Sequence, residues 1–324
     1  MSRRRIAAEA PLDRIAELLE EAPAGLHDLR PAEGGVDVPA QLAELYVLAG
    51  CGTLFHETVE LFAPAELHRD DDRDDDRDDA ARRGLRHLRR GDQLWLDARG
   101  RVLRFDPALD EVLVEGTSLE RWLWGVLEGY RNLVDHEGEY AEDAFDDDGE
   151  LTDDCALRIL GAQLRRDPKA VAPRLRRAAL QAKTSPELAR AELEEVVHLA
   201  PDLAWGWIEL SRISERKGEL AGARDEAQAA AAAEQQGHAQ AGYFWAHVAR
   251  LASAASDEPG RAAAAAKVTA LAPDLRAAQL AGAAEELEAG DVAAANGLCE
   301  LLRAVWPRDL EVLDLRRRLE QHTS

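Results

Sequence analysis

The chain has 324 residues and carries 63 aspartate and glutamate residues against 40 lysine and arginine residues, a formal net charge of −23. A domain usually has about 100–200 residues, so this length predicts two domains. Residues 1–150 hold most of the excess negative charge and contain no lysine. Because proteins bind nucleic acid and anionic membranes through lysine and arginine, this composition argues against both classes of partner.

The cysteines and the hydropathy of the chain restrict its class further. Cys51, Cys155 and Cys299 stand far apart in the sequence, which predicts neither a disulfide framework nor a metal site. The basic start of the chain is followed by acidic residues instead of an apolar signal core. No run approaches the roughly 18 apolar residues of a membrane helix. We therefore expect a cytoplasmic protein without a cofactor or metal.

Short periodic segments in the first half predict a mixed domain of helices and strands. Apolar residues on one face predict helices over Pro11–Ala22 and Val38–Ala49. Strands are predicted over 53–55, 59–62, 93–97, 101–105 and 112–114. The strands 93–97 and 101–105 flank Gly100 and are predicted to form a hairpin. Ser118 then caps a helix whose apolar stripe extends to Tyr130.

Two acidic segments interrupt this pattern. The first contains eight aspartates: Asp70, Asp71, Asp72, Asp74, Asp75, Asp76, Asp78 and Asp79. Their mutual repulsion predicts a solvated loop, which is either an unstructured insertion or a docking segment for a basic partner. The second segment, residues 135–152, is predicted to be a linker. Part of it imitates a calcium-binding EF-hand loop, but Ala144 and Cys155 stand at the first and last ligand positions, so calcium binding is not predicted.

Trp124 is the unusual residue of the last helix in this half. It lies off the apolar stripe, on the same face as Glu120 and Glu128. Two interpretations are open. The indole packs against the second domain, or it anchors a partner, since exposed tryptophan is common at binding hot spots.

The order of these elements resembles the SUKH superfamily, which includes Smi/Knr cell-wall regulators and bacterial immunity proteins. The resemblance covers residues 10–133. It rests on the glycine turn Leu45–Gly52, the strand Val59–Phe62, Gly91–Asp97 with the Gly100 hairpin, and the helix start Ser118–Leu123. The acidic insertion departs from the family pattern. The resemblance implies an α+β domain that binds proteins and has no active site; immunity members neutralise toxins.

A repeat organises the second half. The pentapeptide Leu-Ala-Pro-Asp-Leu occurs at 199–203 and again at 271–275, and Pro307 continues the spacing. Trp207, Leu210, Ser211 and Gly218 occupy the positions that tetratricopeptide (TPR) repeats give to an aromatic residue, a leucine, a small residue and a turn. Residues 170–307 thus resemble TPR repeats, followed by a capping helix over Asp309–Gln321. Such helix pairs stack into a solenoid with a concave groove.

The register of these repeats predicts which side chains line the groove: Arg174, Trp205, Ile208, Arg212, Arg216 and Arg250. These arginines are either ordinary solvated surface or a site for an acidic extended peptide. The lysine and asparagine set of a chaperone-tail clamp is missing. A further hypothesis is that the Asp70–Asp79 loop docks in this groove within the same chain.

We therefore expect a SUKH-like α+β domain over residues 1–134, an acidic linker over 135–152 and an all-α TPR-like domain over 153–324. No combination of nucleophile, base or phosphate loop indicates an enzyme. The main hypothesis is an immunity-type protein whose acidic first domain binds and neutralises a basic toxin. The alternative is a TPR adaptor that recruits an acidic peptide or partner protein into its groove. A third, weaker hypothesis is that the acidic face mimics nucleic acid to sequester a basic protein.

Overall fold

The computed structural model describes residues 11–31, 40–55, 59–61, 84–87, 92–97, 99–147, 149–234 and 239–322. The chain divides into two compact units, Met1–Thr184 and Ser185–Ser324. The Asp70–Asp79 loop lies outside the described residues.

The first unit contains a sheet whose strands are joined in chain order. Its strands are β1 (Asp28–Arg30), β2 (Cys51–Leu54), β3 (Val59–Leu61), β4 (Gly84–His87), β5 (Asp92–Leu96), β6 (Val102–Asp106) and β7 (Glu111–Gly116). Each strand pairs with the next in antiparallel orientation. Helices α1 (Pro11–Glu20), α2 (Ala40–Ala49), α3 (Leu119–Arg131), α4 (Asp153–Arg166) and α5 (Val171–Thr184) complete the unit. The expected small antiparallel sheet with helices is confirmed; β1 and β4 were not predicted.

Helix α3 joins the sheet to the helices of the first unit. Ser118 begins it by accepting a hydrogen bond from the backbone N–H of Arg121, as the sequence predicts. One apolar side packs into the core with the inward residues of β5 and β6. On another side, Gly125 and Gly129 allow α4 to come close: a Cβ at Gly125 would lie 2.7 Å from the Cα of Gln163.

The acidic segment 135–152 is an ordered part of the first unit, whereas the sequence predicts a linker. Isolated β-bridges join Val134 to Tyr140 and Phe145 to Leu151. The Tyr140 hydroxyl donates to the carbonyl oxygen of Phe55 at 3.1 Å. Apolar side chains at both bridges therefore hold this segment on the core, while most of its described carboxylates remain exposed.

Helices α4 and α5 belong to the first unit, although the sequence groups them with the repeats. The Thr117 hydroxyl donates to Asp167 at 2.7 Å, in the turn between the two helices. Arg176 of α5 pairs with Glu115, a buried residue of β7 that also lies 3.5 Å from the Nε of Arg104. These contacts fasten the helix pair to the sheet within the compact unit Met1–Thr184.

The second unit consists of helices arranged largely as antiparallel pairs. They are α6 (Pro186–Leu199), α7 (Ala204–Arg216), α8 (Leu220–Ala233), α9 (Ala239–Ala254), α10 (Glu258–Leu271), α11 (Leu275–Ala289), α12 (Val292–Val305) and α13 (Leu310–His322). The α7–α8, α9–α10 and α11–α12 pairs match the helix pairs that the repeat pattern predicts. Alanines at 223, 227 and 230 are fully buried, because the close helix crossings leave space only for small side chains.

The stacking of the last pair departs from a regular solenoid. The pair α9–α10 stacks on the pair α7–α8 through its first helix, α9, which packs on α8. The pair α11–α12 instead stacks through its second helix: α12 packs on α9 and α10, with Leu301, Ala304 and Val305 in the shared core. Helix α11 instead packs mainly on α12 and α13. Among the first helices of the pairs, α7 and α9 are joined through the rings of Trp205 and Tyr243 and through the Arg250–Glu215 ion pair.

Candidate functional site

A regularly spaced set of side chains follows one face of α7 and α9. Trp205, Glu209, Arg212 and Arg216 are three or four residues apart on α7, which places them along one side of that helix. Tyr243, His247 and Arg250 have the same spacing on α9. We call these seven residues the α7–α9 face.

Aromatic rings form one end of this face. The ring centroids of Trp205 and Tyr243 are 6.0 Å apart, and Trp205 also meets the edge of Phe244 at 5.3 Å. Phe244 is fully buried, whereas Trp205 and Tyr243 are half-buried. The core thus fixes two large rings whose outer surfaces remain open to solvent.

Guanidinium groups form the other end. Arg212 pairs with Glu209 and donates through Nη2 to the Tyr243 hydroxyl at 3.2 Å. Arg250 donates through both terminal nitrogens to the carboxylate of Glu215, each at 2.5 Å. Burial lowers the pKa of Arg212, but Glu209 and then Tyr243 outweigh it and leave that pKa raised. The Arg212 and Arg250 guanidiniums are therefore held in place by these partners.

His247 lies beneath these groups. Its side chain is 7% exposed, and the Tyr243 ring meets it edge-on at 4.7 Å. Burial, followed by the charges of Arg212 and Arg250, lowers the pKa of His247 to about 3. Within the described part of the chain, its Nε2 atom has no hydrogen-bond partner.

The structure corrects part of the predicted groove. Ile208 is fully buried and belongs to the core instead of lining the groove, because it points between the helix pairs. Arg174 is in α5 of the first unit, where it donates to the carbonyl of Pro168. Trp205, Arg212, Arg216 and Arg250 do share the face, and Arg216 is exposed at its end.

The predicted anchor on the first unit is also corrected. Trp124 is only 9% exposed, and the Arg166 guanidinium of α4 lies 3.8 Å above its ring. Arg166 pairs in turn with Glu128. Trp124 and Glu128 are thus covered by a helix of their own unit, since the indole is more stable in the apolar contact than in water. Glu120 lies at the start of α3 and is half-buried.

The sequence analysis missed three residues of the α7–α9 face, Glu209, Tyr243 and His247, and also Glu215, which pairs with Arg250. A signal was available, because the same spacing separates Trp205 from Tyr243, Glu209 from His247 and Arg212 from Arg250. The two helices therefore repeat an aromatic residue and an arginine at matching positions. A register based on Pro201 and Pro273 does not align these positions.

Two searches of the described residues concern other kinds of site. No group of three or more histidine, cysteine, aspartate or glutamate side chains in the described ranges is arranged to hold a metal ion. Among the helices that the structure describes, none combines the length and the apolar character needed to cross a membrane.

Comparison with known proteins finds similarity only among solved structures. No protein-family model matches the chain, and no curated protein matches it. MamA is similar with a TM-score of 0.36 and 16% identity over 52% of this chain and 91% of MamA. TTC0263, a thermophilic TPR protein of Thermus thermophilus, has a TM-score of 0.33 and 21% identity over 53% of this chain and 90% of its own. YrrB, described as a TPR protein with an unusual peptide-binding site, has a TM-score of 0.32 and 11% identity, with coverage of 50% and 91%.

Proposed function

We propose that this protein is a non-catalytic interaction scaffold whose α7–α9 face binds a segment of a partner protein. The observation that carries the proposal is the joint position of two half-buried aromatic rings and three arginines on one face. Tryptophan, tyrosine and arginine are the residues most enriched at binding hot spots. Because the core already fixes Trp205 and Tyr243, a partner can bury their outer surfaces with little further loss of side-chain entropy.

The electrostatics of the face favour recognition over catalysis. A general base works best when its pKa lies near the working pH. The pKa of His247, about 3, is too low for that role, and the imidazole is covered. The arginines remain charged and supply fixed hydrogen-bond donors, which suits the binding of a partner.

A capture experiment with the full chain tests this proposal. Immobilised wild-type protein and the double variant Trp205→Ala/Tyr243→Ala are compared by mass spectrometry of bound proteins. Trp245→Ala is the matched control, because Trp245 is a half-buried aromatic of the same helix that contacts Lys267 away from the face. We expect the double variant to lose a partner that wild type and control retain. Equal capture by all three would contradict the proposal.

For the first unit, we propose a SUKH-like domain with an immunity-type role as a second candidate function. Its support is the antiparallel sheet that follows the family's order of elements, together with the exposed carboxylates of residues 135–154, which suit a basic partner. Co-expression with a toxin encoded next to the gene tests it. Protection that survives Trp205→Ala/Tyr243→Ala would support this role; failure to protect would exclude it for that toxin.

A further inference from the structure

One side of the strands β5, β6 and β7 is apolar. In an antiparallel ladder, directly paired residues point to the same side of the sheet, and successive residues of a strand point to opposite sides. Trp95, Leu103 and Val114 are paired across the three strands, and Phe105 is paired with Val112 beside them. We call these five residues the outer sheet face.

The helices of the first unit pack on the opposite side of these strands. Leu94 and Leu96 point to that side and share a core with buried residues of α1, α2, α3 and α4. Arg104 is paired with Leu94 and therefore points there as well. Its contact Glu115 pairs in turn with Arg176 of α5. The outer sheet face therefore points away from the side on which these helices pack.

Part of the outer sheet face is open to solvent. Phe105 is 38% exposed and Val112 is 50% exposed, while the other three residues of the face are half-buried or buried. An antiparallel sheet with one solvated side usually places apolar residues inward and polar residues outward. Here the outward residues are apolar, and two inward residues, Arg104 and Glu115, are charged. This reversal favours a further layer that covers the outer sheet face.

The two ends of the outer sheet face carry opposite charge. The turn between β5 and β6, residues 97–101, contains two arginines and one aspartate. The turn between β6 and β7, residues 106–111, contains three carboxylates and no basic residue. Arg99 in the first turn and Asp110 in the second are both exposed. Because β6 separates the two turns, these charges lie at opposite ends of a strand that is about 17 Å long.

We propose that the outer sheet face is the interface of a homodimer, in which two copies of this chain pack face to face. The two-fold axis crosses the strands, so strands of the two copies run in opposite directions. Phe105 and Val112 are then removed from water, and Arg99 of each copy meets Asp110 of the other. An axis parallel to the strands would bring like charges together, which is unfavourable. The inference concerns the first unit and is independent of the function proposed for the α7–α9 face.

The size of the outer sheet face predicts a weak dimer. Strands lie about 4.8 Å apart and rise about 3.3 Å per residue, so three strands of about five residues cover roughly 240 Å². A stable interface usually buries about 800 Å² on each partner. We therefore expect a dissociation constant of about 10–100 µM. Because the flanking charges are exposed, this constant should increase as salt is added.

Sedimentation equilibrium of the full-length protein, at about 1–500 µM, tests this inference. Phe105→Thr/Val112→Thr should weaken association at least tenfold, because it removes apolar area from the interface while threonine remains suited to a strand. Val47→Gln/Leu48→Gln is the matched control, because it replaces two exposed apolar residues of α2. The control should associate as wild type does. Circular dichroism and thermal unfolding verify that each variant is folded.

Charge reversal tests the direction in which the two copies pack. Arg99→Asp and Asp110→Arg should each weaken association about tenfold, because each variant brings like charges together at both ends of its own dimer. An equimolar mixture of the two variants should associate about as tightly as wild type, since opposite charges then meet at both ends. This recovery requires the first turn of one copy to contact the second turn of the other.

Three results would overturn the inference. The first is a wild-type chain that stays monomeric up to about 500 µM at low salt. The second is a dimer that Phe105→Thr/Val112→Thr leaves intact, or that the control variant weakens equally, since its interface would then lie elsewhere. The third is a mixture of the charge variants that associates no better than either variant alone, which would exclude the two-fold arrangement.

Discussion

Replacing His247 by glutamine should make the second unit less sensitive to acid. In the folded chain, burial and then the charges of Arg212 and Arg250 lower the pKa of His247 from 6.5 to about 3. The unfolded chain binds this proton near pH 6.5, whereas the folded chain resists it until about pH 3. Because the unfolded state binds more protons between these values, wild type loses stability as pH falls through this window.

The size of the effect follows from the shift. Each pH unit below the unfolded pKa costs about 1.4 kcal/mol of unfolding free energy while the folded imidazole stays neutral. Between about pH 7.5 and pH 5 the loss from His247 is therefore about 2 kcal/mol. Glutamine carries no titrating proton, so this contribution is absent from the variant. The other titrating groups are common to both chains and cancel in the comparison.

Urea unfolding at several pH values measures the effect, with amide hydrogen exchange of α9 peptides separating the second unit from the first. His247→Gln can lower stability at about pH 7.5, because it changes a buried site. The decisive quantity is the unfolding free energy of the variant minus that of wild type. This difference should increase by about 2 kcal/mol between about pH 7.5 and about pH 5. Parallel pH profiles for the two chains would refute the reasoning about the buried neutral imidazole.

Three further substitutions test the packing that positions the helices and strands within each unit. Gly125→Ala should destabilise the first unit by about 1–3 kcal/mol in urea unfolding, because the new Cβ would overlap Gln163. Gly222→Ala is the control: its Cβ would lie in open space on α8, so the change should be neutral or slightly stabilising. Glu115→Gln should lower the free energy of unfolding by about 3–5 kcal/mol, because Arg104 and Arg176 would lose the buried carboxylate that they share. A loss near zero would contradict the burial of these two ion pairs. Gly242→Ala should lower the melting temperature of the second unit, because its Cβ would lie 2.3 Å from that of Ala272, and an unchanged melting curve would contradict this close crossing.

The features that could be predicted from the sequence are those with a local signal. The hairpin follows from Gly100 between two apolar runs, and its glycine adopts the positive φ that the turn needs. Helix α3 follows from its stripe and its serine cap. The helix pairs of the second unit follow from the repeated Pro-Asp and from the buried alanines. In each case the residues that decide the structure are close together in the chain.

The features that were missed depend on contacts between distant residues. The attachment of α4 and α5 to the sheet rests on Thr117 with Asp167 and on Glu115 with Arg176, which have no periodic signature. For Trp124 the sequence left packing and partner binding open, and the contact with Arg166 of α4 decides for packing. The ordered acidic segment has the same explanation: its charge predicts solvation correctly, but Tyr140 and Phe145 decide that the backbone stays on the core.

The position of α12 explains why the last helix pair does not stack as the repeat pattern predicts. Helix α12 buries two apolar surfaces: Leu301, Ala304 and Val305 on one side, and Ala295, Cys299 and Leu302 on the other. Helix α11 is rich in alanine and buries only Ala283 and Leu287 completely enough to join a core. The helix with more apolar surface gains more by occupying the central position, since the stabilisation scales with the area removed from water. In this position both apolar surfaces of α12 are buried, one in each of two separate cores of the second unit.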